Sequence, residues 1–129
     1  MTSPSMLAAA LRAHAQGLYC DEAAAELLIA QSWLLRPDFT SRFITIHRSI
    51  GDGQPMAVTD WAAAFAALGT SMPCSGGEQR MLKITSSLGG GTPVDLRDAL
   101  TGIDDHNVQL LIKAVRHASG KRPSDDLYR

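Results

Sequence analysis

The stretch Asp38-Phe39-Thr40-Ser41-Arg42-Phe43-Ile44-Thr45-Ile46-His47-Arg48-Ser49-Ile50-Gly51-Asp52-Gly53-Gln54-Pro55-Met56-Ala57-Val58 decides between two fold classes. Read as a helix, Asp38 caps a segment with Phe39, Phe43, Ile46 and Ile50 on one stripe, and residues 49–58 form a loop. Read as a hairpin, Phe43-Ile44-Thr45-Ile46 is a β-branched strand and Gly51-Asp52-Gly53 its turn. The segments on both sides read as helices, so such a hairpin would be the only sheet, and an isolated two-stranded sheet is marginal in water. The expectation is therefore helix. The architecture that follows is all-α, a compact orthogonal bundle of five or six helices.

Helix signals extend outward from this segment in both directions. Ser3-Pro4 is a cap followed by a proline at the first helical position, residues 6–16 continue that helix, and Gly17 ends it. Asp21 is the expected cap of a second helix running to about residue 35, where Pro37 forbids continuation. Glu22 and Glu26 lie one turn apart on its outer face, and Ile29 and Trp33 continue the same stripe. Its second half is apolar all round, which predicts a central helix. Downstream, Thr59 or Asp60 caps a helix carrying Trp61, Phe65 and Leu68, stopped by Gly69. Ser75 and Glu78 form a capping box before Met81, Ile84 and Leu88, and Gly89-Gly90-Gly91 breaks that helix. Asp95 and Asp98 frame a short helix ending at Gly102. Asp104 caps the last helix, whose expected core stripe is Val108, Leu111, Ile112 and Val115, with Asp105, Gln109, Lys113 and Arg116 facing water. The second helix and residues 108–115 are expected at the centre of the bundle.

Composition agrees with this reading. The 129 residues are 45% hydrophobic but only 5% aromatic, and alanine is abundant, which favours closely packed helices. Residues 1–120 read as one domain and residues 121–129 as a disordered polar tail. A net charge of -1 offers no bulk attraction for nucleic acid or anionic membrane. The N-terminus lacks the positive segment of a secretory signal, and the longest uncharged run, residues 61–77, is interrupted by Gly69, Pro73 and a glycine pair. Two cysteines are too few for a disulfide framework. A cytoplasmic location with free thiols is expected.

The string Ser75-Gly76-Gly77-Glu78-Gln79-Arg80 resembles the signature motif of ABC-type ATPases, which implies an anion site at Ser75, Gly76 and Gly77 on a helix N-terminus. The resemblance stops there, because no Gly-x-x-x-x-Gly-Lys-Ser/Thr loop accompanies it. A capping box accounts for the same residues. A second resemblance covers residues 73–120. The Ser75-Gly76-Gly77-Glu78 helix start, Pro93-Val94-Asp95-Leu96, Gly102-Ile103-Asp104 and His117-Ala118-Ser119-Gly120, with Asp60-Trp61 more weakly, look like a recurring family of small helical proteins from high-GC actinobacteria. That family carries no assigned activity, so the resemblance implies a cytoplasmic bacterial origin and nothing about chemistry.

Residues 95–118 have roughly the spacing of a helix-turn-helix, with Gly102 in the turn. Lys113, Arg116, Lys121 and Arg122 are its candidate nucleic-acid contacts. Asp104 and Asp105 oppose that use, standing where a recognition helix would meet DNA. His106 and His117 share a stripe but lie roughly 16 Å apart along a helix, too far to ligate one metal. His14 and His47 are isolated in sequence. Cys20 and Cys74 each precede an expected N-cap, where a helix dipole can lower a thiol pKa; a small residue filling a niche explains both as well. No catalytic residue, cofactor or metal is expected.

The leading expectation is a regulatory or protein–protein interaction module binding another protein or itself, with Ile29 and Trp33 as the candidate interface. The alternative is that residues 39–50 cover both within the monomer. A DNA-binding regulator and an enzyme assembled from distant residues are the other two classes. An exposed apolar stripe would favour the first, a contiguous Lys/Arg face the second, and a pocket of titratable groups the third.

Overall fold

A computed structural model describes residues 2–121. It is mostly helical. The elements are α1 (Pro4–Ala15), α2 (Tyr19–Ala30), a 3-10 turn (Trp33–Leu35), α3 (Pro37–Phe43), β1 (Ile44–Arg48), β2 (Pro55–Thr59), α4 (Trp61–Ala67), α5 (Gly76–Gly90), α6 (Leu96–Leu100) and α7 (Asp105–Ala118). The tail expected at residues 121–129 lies, beyond Lys121, outside the described residues.

The expectation of a purely α fold is corrected at residues 44–59, which form an antiparallel hairpin. Helix α3 stops at Phe43 because the β-branched run Ile44-Thr45-Ile46 prefers extended backbone. The register pairs Ile44 with Thr59 and Ile46 with Ala57, and the Asp60 N–H closes the ladder on the Phe43 carbonyl at 2.8 Å. At the turn the Ser49 N–H donates to Gln54 O, the Gly53 N–H donates to Ser49 O, and Gly53 has a φ of 70°. The hairpin is not isolated. Its β2 strand turns Ala57 inward to join Leu7, Leu11 and Ala15 of α1 in the core, which supplies the packing that a lone hairpin lacks.

Two hydrophobic clusters share α2 and α5. One gathers Leu7, Leu11, Leu28, Trp33, Phe39, Phe43, Ala64 and Leu82. The other gathers Ala23, Leu27, Met81, Ile84, Ala99, Leu111 and Ala114. Helix α2 is central, as its apolar circumference predicts: Ala23, Ala24, Ala25, Leu27 and Leu28 are all buried. Its start differs from expectation, since Asp21 sits inside the first turn and Leu18 is the uncapped N-cap. Its end differs too. The helix closes at Ala30, and Ser32, at a φ of 62°, redirects the chain.

That redirection moves Trp33 off the Ile29 stripe and into the core, where it is 1% exposed. Its ring lies 5.0 Å from Phe39, and Phe39 lies 5.2 Å from Phe43. Ile29 is half-buried against the same cluster. Helix α3 thus covers Trp33 within the chain, which is the alternative open for the Ile29–Trp33 stripe. Helix α5 also takes in the first two glycines of the expected break at residues 89–91. Gly89 and Gly90 remain helical with Trp61 laid directly on them, and Gly91, at a φ of 73°, ends the helix.

Candidate interaction surface

Asp95 starts α6 by accepting from the Arg97 and Asp98 N–H groups at 3.0 and 3.4 Å. Gly102, at a φ of 83°, turns the chain. Asp104 then caps α7 by accepting from the Asn107 N–H at 2.9 Å. Two polar clamps fix how α7 rolls on α2. Near its start Gln31 Nε2 donates to Asn107 Oδ1 at 2.7 Å, and at its end His117 Nε2 meets Glu22 Oε1 at 2.8 Å. Leu111 and Ala114 are buried between them on Ala23 and Leu27, with Leu110 and Ala118 partly buried beside them.

This roll corrects the expected core stripe and the expected central place of residues 108–115. Leu111 faces inward, but Ile112 is 48% and Val115 61% exposed. They join Leu100, Ile103 and Val108 around a shallow groove of about 370 Å³, bordered by Arg116. Leu96, one turn before Leu100 on α6, is 59% exposed. The 3.6-residue spacing of Val108, Ile112 and Val115 is legible in the sequence. Its direction is not, because the alanines of α2 and α7 pack more closely than larger side chains allow and claim the inner face.

Among the described residues, the candidate cations Lys113, Arg116 and Lys121 do not form one face. Lys113 borders a cleft against α2 together with His117, Arg116 is half-buried at the apolar groove, and Lys121 is exposed beyond the helix end. Arg122 lies outside the described residues. The exposed Asp104 and Asp105 stand at the start of α7, where a DNA-reading helix would present its contacts. At the candidate anion site the capping box is complete. Ser75 Oγ accepts from the Glu78 N–H at 3.1 Å, and Glu78 Oε1 accepts from the Ser75 N–H at 2.8 Å. The Glu78 carboxylate therefore occupies the helix mouth that an anion would use, with Gly76 and Gly77 in the first turn. The loop leading to it is held by Arg36. That guanidinium donates to Pro73 O and Asp38, both at 2.7 Å, and lies over the Trp33 ring.

The thiol expectations are also revised. Cys20 falls within α2 and is exposed. Cys74 precedes the Ser75 cap, yet burial pushes its pKa up, Glu78 adds to this, and Arg36 only partly opposes them. The Cys74 thiolate is thereby disfavoured.

Two groupings are invisible in the sequence. His14 and His47, far apart in the chain, stack edge to face with ring centroids 5.8 Å apart. Glu22 and His117 meet beside the bidentate Arg12–Glu26 pair, at 2.7 and 3.0 Å, and the Tyr19 ring lies across His117. The Glu22 carboxyl is held below the usual range, first by His117 and then by the Gly17 N–H at 2.9 Å. Among the described residues no three His, Cys, Asp or Glu side chains are placed to hold a metal ion, and no helix is long and apolar enough to cross a membrane. No protein-family model matches the sequence, and no curated protein or solved structure matches it significantly.

Proposed function

We propose that the chain is a regulatory protein–protein interaction module without catalytic activity, and that α6 and α7 form its docking face. One observation carries this reading: Ile112 and Val115 stand a turn apart on α7, about half exposed, in one groove with Leu100, and Leu96 is exposed one turn before Leu100 on α6. A fully buried aliphatic side chain contributes roughly 1.5–3 kcal/mol, so a partner covering these four gains a useful fraction of that at each. The partner's contact surface is apolar and convex enough to enter the groove, as the face of an amphipathic helix is.

The test replaces Ile112 with a photo-crosslinking amino acid in cells expressing the chain, with exposed Gln54 at the hairpin tip as the control position. Discrete protein adducts from position 112, abolished by Val115→Glu and absent from position 54, support the reading. No adduct at 112, or equal adducts at both positions, overturns it.

A further inference from the structure

We infer that the cleft where α1, α2, β2 and α4 meet binds a small primary alkylammonium, with Asp21 as its counter-ion and Thr59 as a second polar anchor. None of the residues lining this cleft belongs to α6 or α7, so the site is separate from the docking face.

Thr59 sets the cleft apart. The hairpin ladder pairs it with Ile44, and it is 7% exposed. Its Oγ1 is buried and has no hydrogen-bond partner among the described residues. A buried hydroxyl without a partner lowers stability, and a valine of nearly the same shape would avoid that loss. Packing therefore gives the hydroxyl no use. Thr59 lines a cleft of about 140 Å³, where a ligand gives it one.

Asp21 supplies the charge. It lies in the first turn of α2 without being its N-cap, is partly buried, and makes no hydrogen bond or ion pair among the described residues. Its neighbour Glu22 is held by His117 and the Gly17 N–H, whereas Asp21 lines the cleft. No Lys or Arg lines it, so the uncompensated charge is negative and the complementary ligand is a cation. A metal ion does not suit, since among the described residues no three His, Cys, Asp or Glu side chains are placed to hold one.

An ammonium group fits the chemistry of the walls. It offers three N–H donors, and the Asp21 carboxylate, Thr59 Oγ1 and a ring nitrogen of His14 are the acceptors. Leu11 and Ala57 give an alkyl stem an apolar wall. Trp61 adds an indole, the ring that attracts cations most strongly. An uncharged apolar molecule would instead cover Asp21 and Thr59 without pairing them. A cavity of roughly 150 Å³ holds benzene, so this cleft takes about six non-hydrogen atoms, the size of n-pentylammonium.

The experiment titrates the full, isotope-labelled chain and follows its backbone amides by NMR, which reads weak binding. The probe is n-pentylammonium at about pH 8, where a primary ammonium stays protonated. Pentan-1-ol and pentanoate are the neutral and anionic controls. Saturable shifts should centre on residues 14, 21, 59 and 61, with pentan-1-ol weaker by about tenfold or more and pentanoate inert. Asp21→Asn keeps the side chain's shape at a partly exposed position, so the chain stays folded, and binding should weaken by about tenfold or more. Thr59→Val should weaken binding several-fold while raising the melting temperature of the ligand-free chain. A residue that serves packing alone would not combine those two effects.

The absence of saturable shifts in wild type overturns the inference, as does equal binding of pentan-1-ol or pentanoate. Unchanged affinity in Asp21→Asn overturns it as well. A destabilised Thr59→Val does the same, because the hydroxyl would then have its partner within the fold.

Discussion

Nε2 of His117 lies 2.8 Å from Oε1 of Glu22, tying the last turn of α7 to the first turn of α2. The second Glu22 oxygen accepts from the Gly17 N–H, and the two contacts hold the carboxyl below its ordinary range. Unfolding removes both. A carboxylate whose folded pKa is depressed contributes stability that is complete above its unfolded value and lost as pH falls through the folded value. Glu22→Gln should therefore lower the unfolding free energy measured in urea at neutral pH, by less than about 1 kcal/mol because water reaches the pair. The gap to wild type should close in acid below the carboxylate range. A gap independent of pH would show that the charge of Glu22 contributes nothing.

Gly89 and Gly90 answer a question of sign. In an open helix, glycine to alanine stabilises by about 1 kcal/mol. Here a Cβ on Gly89 would stand 2.4 Å from Trp61 Cε2, and one on Gly90 would stand 2.6 Å from Trp61 Cβ. Overpacking of this kind costs roughly 1–3 kcal/mol, so the clash wins and Gly89→Ala should lower stability. Combining it with Trp61→Ala should recover part of the loss, a coupling that a double-mutant cycle in urea measures directly. Stabilisation by Gly89→Ala alone would mean that Trp61 does not rest on α5.

Ser75 should act as a cap and not as a phosphate ligand. Ser75→Ala leaves the Glu78 N–H without its acceptor and should cost about 1 kcal/mol, whereas Ser75→Asp, which also caps, should be tolerated. Isothermal titration with ATP should give no saturable heat. Saturable binding that disappears in Ser75→Ala would restore the anion site at Ser75, Gly76 and Gly77.

Local rules explain what could be read in advance. The caps at Ser3, Asp60, Ser75, Asp95 and Asp104 all accept the expected backbone hydrogen bonds, and Gly17, Gly69, Gly102 and Gly120 all take positive φ at helix ends. Each depends on a few neighbouring residues. The hairpin escapes such rules because its stability comes from Ala57 meeting α1, a contact between segments some fifty residues apart that periodicity cannot register. The same limit hides the exposed apolar stripe of α7. Val108, Ile112 and Val115 show their spacing, but the roll of α7 is set by Asn107 on Gln31 and by His117 on Glu22, the last pair 95 positions apart. Large aliphatic residues signal burial more loudly than alanine does, so Ala114 and Ala118, which share the inner face with Leu110 and Leu111, give no warning of it.

Trp33 and Val115 make the sharpest contrast between core and surface. Both are large apolar residues on helical turns. The sequence pattern leaves the tryptophan open between an interface and cover by residues 39–50, and it assigns the valine to the core. Trp33 is 1% and Val115 61% exposed. Trp33→Ala should cost about 3–5 kcal/mol, since it removes a buried indole and leaves Phe39 and the Arg36 guanidinium without the ring they pack on. A domain of ordinary stability has only about 5–15 kcal/mol in total, so Trp33→Glu should fail to fold. Val115→Ala should change stability by no more than about 0.5 kcal/mol, the range of surface substitutions. Thermal melts of the dilute protein, where any self-association is absent, compare the substitutions directly. A folded Trp33→Glu, or a large loss in Val115→Ala, would reverse the assignment of core and surface between the Trp33–Leu35 turn and α7.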